Sequence, residues 1–275
     1  MRTALGLFPF LLLFATAHVR AAAAPLPDMP GLLARMMARA RAVGADTNLL
    51  VHHFIKTSWY EKLDAAGTTT GVKEKRYEVT LFRGMPQNRL VAVNGQPLSA
   101  EEGARQTEGE RKVRNRFSAS GSARGDESVS TLINGDLAAR FEFRAERREE
   151  IHGRPAIVVS FRPKDGPLPV NRLADRVINL LHGTIWVDEA EAEIARAEVR
   201  TEGAMRLWGG FLGAVEKVEF EVWRTRTPAG AWLNEKGLFT VRGRRLWEPL
   251  HFRAREVASE IREGTLTPEL RAQAD

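Results

Sequence analysis

The chain has no cysteine. That excludes disulfides, thiolate metal sites, cysteine nucleophiles and a lipid-anchored N-terminal cysteine. It also lacks the short motifs that carry common chemistry. There is no phosphate-binding G-x-x-x-x-G-K-[ST], no dinucleotide G-x-G-x-x-G after a strand, no H-E-x-x-H and no G-x-S-x-G elbow. Beyond the first residues no apolar run reaches the roughly 20 residues that span a bilayer, and no fixed-period repeat is evident. What is present is a chain of 275 residues, 43% hydrophobic and 28% charged, too apolar for a disordered protein.

The N-terminus reads as a secretory leader. Met1-Arg2 is a short positive start, Ala4 to Phe14 is almost wholly apolar, and small residues follow at Ala15-Thr16-Ala17 and Ala21–Ala24. Pro9, His18 and Arg20 interrupt the run, so cleavage is expected rather than anchorage. Residues 1–24 are taken as the signal peptide and 25–275 as one domain of an exported, soluble protein. Losing Arg2 and Arg20 brings the formal charge from +6 to +4. The remaining charges are interspersed, which is not the basic stripe of a nucleic-acid binder.

After the leader, Leu32, Leu33, Met36, Met37, Ala40 and Val43 recur at helical spacing, with Pro30 before them and Gly44 after. Strand patterns then dominate: 49–62, 72–83 and 89–93 form a meander with turns at 65–67, 84–86 and Asn94-Gly95. Residues 99–117 are charged on all sides and predict a solvated helix, with Ser99 and Glu102 spaced as a capping box. A Gly/Ser-rich loop at 118–127 and a short helix around Val129, Leu132, Ile133 and Leu137 follow. Strands are then expected at 141–151, 155–163, 184–188, 194–201, 215–226, 231–242 and 246–261, with a helix over 170–181 and a turn at Gly243-Arg244-Arg245. In 215–226, Val218, Phe220 and Val222 alternate with Lys217, Glu219 and Glu221. About ten or eleven antiparallel strands and three or four helices predict a mainly β (α+β) fold. The sheet is curved, forming an open half-barrel whose concave apolar face is covered by helices.

Candidate chemical groups are few. His52 and His53 point to opposite faces of a strand and cannot share a metal. Asp188, Glu189, Glu191 and Glu193 bring together enough carboxylates for a calcium ion or an acid/base pair. The same spacing makes a charged hairpin turn in which Asp188 bonds local amides, and the turn is the expectation. Ser118, Ser120 and Ser122 have no partner in sequence context. No catalytic residue, metal site or cofactor is assigned, and the protein is read as a non-enzyme.

Apolar side chains carry the ligand expectation. Trp208, Phe211 and Leu212 lie among glycines, where they suit a mobile rim. Met36 and Met37 suit a remodelling pocket, and Ile178 and Leu181 lie on the second apolar helix. These seven residues are the expected cavity and rim, with the helices over 32–43 and 170–181 as its lid.

The stretches Arg89 to Ser99, Gly153-Arg154-Pro155-Ala156, Phe161-Arg162-Pro163, Gly183-Thr184-Ile185-Trp186-Val187-Asp188 and Glu193-Ile194-Ala195-Arg196 together resemble the lipoprotein-sorting-like proteins of the LolA/LolB/RseB superfamily. The resemblance spans most of the mature chain. It implies an unclosed β-barrel with helices over an apolar cavity, carrying lipoprotein acyl chains or lipids across the periplasm, or sensing stress. It implies no catalytic residues. The missing lipobox cysteine disfavours an anchored acceptor, and the segment 99–127 is larger than a minimal carrier needs. The expected partners are a lipid or lipoprotein acyl chain and, transiently, a membrane or membrane-bound protein, but not nucleic acid. The alternative is a periplasmic protein-interaction or stress-sensing module on the same fold.

Overall fold

A computed structural model describes residues 25–44, 50–82, 85–119, 135–171, 173–207, 213–245 and 248–265. These contain twelve strands in a single antiparallel sheet. In chain order they are β1 (Leu50–Leu63), β2 (Thr69–Phe82), β3 (Met85–Val93), β4 (Gln96–Pro97), β5 (Phe141–Ile151), β6 (Arg154–Pro163), β7 (Leu181–Asp188), β8 (Ile194–Thr201), β9 (Met205–Leu207), β10 (Gly213–Arg226), β11 (Trp232–Arg245) and β12 (Glu248–Thr265). The spatial order is β4-β3-β2-β1-β12-β11-β10-β8-β7-β6-β5, with β9 beside β10. The sheet is curved and unclosed, as the alternation predicts. Pairing of β1 with β12 joins the two ends of the chain and unites the early meander with the later one.

Bulges and glycines let the sheet bend. Register shifts fall in β1 at His53/Ile55, in β5 at Ala145/Arg147 and in β10 at Val215/Lys217 and Trp223/Arg224. Gly183 and Gly243 sit where neighbouring backbone crowds in: a Cβ on Gly183 would lie 2.0 Å from the Glu198 carbonyl oxygen, and one on Gly243 would lie 2.3 Å from that of Ala214. Gly243-Arg244-Arg245 is therefore strand, not the expected turn, and β12 begins only at Glu248. Met85 and Pro86 likewise belong to β3 rather than to a turn, on a strand whose far side is largely free for a residue that lacks an N–H. The turn at Asn94-Gly95 has positive φ at both residues, 49° and 74°, as a tight hairpin requires.

Helix α1 (Met29–Gly44) is capped by Asp28, whose carboxylate accepts the Gly31 N–H at 2.8 Å. Its buried stripe, Leu32 and Met36, packs into a core of Ile157, Val159, Ile185, Val187, Ile194 and Val222 on the concave face. Phe143 and Phe161 border this core and stack on each other with ring centres 6.0 Å apart. Helix α2 (Ala100–Ala119) starts at the expected capping box: the Ser99 hydroxyl accepts the Glu102 N–H, and the Glu102 carboxylate accepts the Ser99 N–H. It covers the sheet edge rather than the concave face. Gly103 approaches so closely that a Cβ there would lie 2.6 Å from the Leu90 carbonyl oxygen, and the Thr107 hydroxyl accepts the Leu90 N–H.

Helix α3 (Gly135–Arg140) precedes β5; the rest of the helix expected there, and the loop before it, lie outside the described residues. Helix α4 covers only Leu173–Ile178 instead of 170–181. The reason is local: Asp175, fully buried, accepts the Asn171 N–H and faces buried Arg140 at 3.6 Å, which ties the start of the segment into a turn. Leu181 has already entered β7.

Candidate functional site

Alternation places His52, Phe54 and Lys56 of β1 on the concave face, opposite Leu81, Val79 and Tyr77 of β2. The same face of β10 carries Phe220, Val222 and Arg224, and that of β12 carries Glu256 and Ala258. Between these strands, β11 and the last turn of α1 lies a chamber of about 500 Å³, within the usual size of a small-molecule site. Phe54, Val79, Leu81, Phe220, Val222 and Leu233 supply its apolar wall, while Arg39, Ala42 and Val43 close it from α1.

Gly237 on β11 helps to make the space. Strand-interior glycine usually marks a bulge, a close backbone approach or room for a ligand. Here a Cβ would meet nothing nearer than 3.9 Å, and φ does not lie in the left-handed region. Its neighbours across the ladder are Val222 and Glu256. The absent side chain leaves its volume to the chamber.

One end of the chamber is ionic. Arg224 donates through Nη1 to Glu193 Oε1 at 2.6 Å and to the Ile194 carbonyl at 3.0 Å, and through Nη2 to the Trp232 carbonyl at 3.1 Å. Both side chains of the pair are buried. Arg39 of α1 reaches the same carboxylate at 3.3 Å. Beside them the Thr227 hydroxyl lies 3.3 Å from Nε2 of buried His52. Burial pulls the His52 imidazole below its ordinary value, Glu263 opposing this and His53 adding to it. His53 lies on the other face, against Thr80, as the strand geometry predicts.

The four acids of the β7–β8 turn form a hub for arginines. Arg154 holds Asp188 in a two-pronged contact at 2.6 and 3.0 Å. Arg148 holds Glu189, and Glu191 receives Arg154, Arg226 and the Trp232 indole N–H. Arg35 donates to the Glu189 and Ala190 carbonyls, so α1 is fastened to this turn by Arg35 and Arg39 together. Asp188 also accepts the Glu191 N–H at 2.8 Å, the local bond expected of a turn aspartate. Burial pushes the Asp188 carboxyl up, but Arg154 and the turn amides outweigh it and hold it below its ordinary value. Arg148 likewise lowers Glu189. Among the described residues no group of three or more His, Asp or Glu is arranged to hold a metal ion.

The convex face carries its own polar ladder. Arg196 lies between Trp186 and Trp223, 4.5 and 5.2 Å from the ring centres, and the Trp186 indole donates to Glu149 at 2.6 Å. Glu61 is clasped by Arg253 and Arg255.

Of the seven residues expected at the cavity, Met36 lies in the core under the sheet-facing side of α1 and Met37, on the same helix, is partly buried against it. Ile178 is half-buried in α4, and Leu181 is half-buried in β7 opposite Thr201. None of these four is among the residues that line the chamber. Trp208, Phe211 and Leu212 lie outside the described residues. The chamber residues sequence reasoning missed are Arg39, Arg224 and Gly237, while Glu193 was read only as part of the acidic turn. Two left a signal: continuing the Val218, Phe220, Val222 alternation puts Arg224 inward, and Gly237 interrupts a strand pattern without a turn to explain it.

No helix of the described residues is long and apolar enough to cross a membrane. No protein-family model matches the chain, and no curated protein matches it. Among solved structures, the chain is similar to a domain ascribed to outer membrane lipoprotein sorting from Vibrio parahaemolyticus, with 13% identity over 86% of this chain and 96% of that one and a TM-score of 0.33. It is similar to a LolA superfamily protein from Nitrosomonas europaea, with 9% identity over 86% and 96% and a TM-score of 0.32. It is also similar to a chain of the Pseudomonas aeruginosa MucA/MucB complex, with 10% identity over 85% and 99% and a TM-score of 0.25. The chain's own architecture is an unclosed antiparallel sheet with α1 packed against one face.

Proposed function

We infer that this is an exported periplasmic carrier that shelters a lipid or lipoprotein acyl chain in the concave chamber. The observation that carries the reading is the space itself, walled by Phe54, Val79, Phe220 and Val222 and left open at Gly237. Each methylene moved from water into such a wall contributes about 0.8 kcal/mol, so a long chain is held without a specific polar motif. That agrees with a sequence devoid of catalytic signatures. Removal of residues 1–24 as a leader and folding of 25–275 as one domain belong to the same proposal. So does a remodelling role for Met36 and Met37, which belong to the helix that bounds the chamber.

The test is recovery of ligand. Delipidated protein, incubated with membrane extract and repurified, is expected to carry lipid by mass spectrometry. Gly237→Phe, whose Cβ meets no atom nearer than 3.9 Å, is expected to fold, to fill the chamber and to carry none. Protein that stays empty, or a filled-in variant that loads equally well, overturns the carrier.

A second reading, a protein-interaction module, draws on α2: apart from Gly103, Thr107 and Glu108, its described side chains are exposed. A protein partner lost on deleting 99–127, with lipid loading absent from the intact protein, would favour it.

A further inference from the structure

We propose that the Arg224 end of the chamber is a head-group subsite that takes an anionic oxygen, carboxylate or phosphate, of a single-chain amphiphile. This rests on the carrier reading and specifies its cargo.

Three observations point to it. First, Arg224 is 5% exposed, lies on the concave face by strand alternation and lines the chamber, yet its Nε–H is buried with no acceptor. Its other guanidinium nitrogens are engaged by Glu193 and two carbonyls. A buried charged donor left unmade is costly, and of the buried arginine Nε atoms at Arg140, Arg196 and Arg224 only the last belongs to a residue lining the chamber. Second, the connected ion pairs here set four guanidiniums, Arg39, Arg154, Arg224 and Arg226, against three carboxylates, Asp188, Glu191 and Glu193. The other charges on the chamber wall are matched one to one, Lys56 with Glu256 at 4.0 Å and Lys236 with Glu235 at 3.8 Å. Of that network only Arg39, Arg224 and Glu193 line the chamber, two guanidiniums against one carboxylate, with Glu263 the further acid that acts on His52 nearby. Third, the apolar wall runs on from that end along the same strands: Val222 and Phe220 precede Arg224 on β10, and Phe54 follows His52 on β1. A head at Arg224 lays its chain past Gly237, which faces Val222 across the ladder, and on over Phe220. At about 500 Å³ the space suits one chain rather than several.

The experiment compares three probes of equal chain length on delipidated mature protein by titration calorimetry: palmitate, palmitoyl lysophosphatidate and hexadecanol. A charge-assisted hydrogen bond in a buried site predicts that one or both anions bind roughly ten-fold or more tightly than the alcohol. The better of the two anions identifies the head chemistry. Arg224→Lys keeps the charge facing Glu193 but removes the Nε–H, and it is expected to shrink the preference to about three-fold or less with hexadecanol affinity unchanged. Arg39→Gln, at a half-exposed position, is expected to narrow it as well and serves where the lysine variant fails to fold. If all three probes bind alike, a water satisfies Arg224 and the subsite falls while the carrier stands. A preference that persists undiminished in both variants also overturns the assignment. If none of the probes binds, the carrier and its subsite fall together.

Discussion

Glu193 and Arg224 meet at 2.6 Å in the interior, with 3% and 6% of their side chains exposed, although one immediately precedes β8 and the other lies near the end of β10. A pair so placed gains little net stability, because both charges are desolvated, but it becomes expensive to break. Glu193→Leu leaves Arg224 buried against fewer acceptors, and a loss of about 3–5 kcal/mol is expected in urea denaturation. The double variant Glu193→Leu with Arg224→Met is expected to regain most of that loss. A single variant as stable as the parent would show that the pair is not sealed from solvent.

Stability is expected to fall with acid in two phases. His52 has a folded pKa below its ordinary 6.5, so its contribution is complete above 6.5 and is lost as pH falls through the depressed value. Asp188 sits below its ordinary 3.8, with Glu189 and Glu61 also lowered, so their contribution holds down to about that region and disappears only as pH falls further. Denaturant midpoints measured across pH should show both steps, and His52→Asn should abolish the upper one alone.

The strand glycines divide into two kinds. Gly183→Ala puts a methyl into the Glu198 carbonyl and is expected to cost about 1–3 kcal/mol, because backbone must move. Gly237→Ala makes only ordinary contacts, at 3.9 Å to the Glu221 carbonyl oxygen and the Glu256 Cβ, and is expected to leave the melting temperature unchanged or raise it slightly. Equal effects at the two positions would contradict the chamber geometry.

On the convex face, Arg196→Gln removes the cation held between Trp186 and Trp223. A loss of about 1 kcal/mol is expected, with a change in tryptophan fluorescence as both rings gain freedom. An unaltered emission spectrum would show that the stacking does not persist in solution.

Much of the fold was legible from local pattern. Alternation at 215–226 marked β10 and its inward face, Asn94-Gly95 marked a tight turn, and Ser99 with Glu102 marked the start of α2. Each depends on residues within a few positions of one another, where backbone sterics and a single hydrogen bond decide the outcome. The same logic misplaced what long-range contacts govern. Helix α4 is short because Asp175 turns inward to Asn171 and Arg140, and Gly243 is a strand glycine because the Ala214 backbone crowds it.

By itself, then, the sequence determined a β-rich open sheet and an amphipathic α1, because periodicity and turn residues are local properties of the chain. Only the tertiary structure decided what the charges and the gaps are for. Arg39 and Glu193 lie 154 residues apart and Arg224 a further 31 beyond. No spacing rule links them until β8, β10 and α1 are brought together. An acidic turn read alone could hold a cation, but in the folded chain every one of its carboxylates is already taken by arginine. What remains beside the apolar space at Gly237 is the buried Arg224 Nε–H, and that juxtaposition exists only once the sheet has curved.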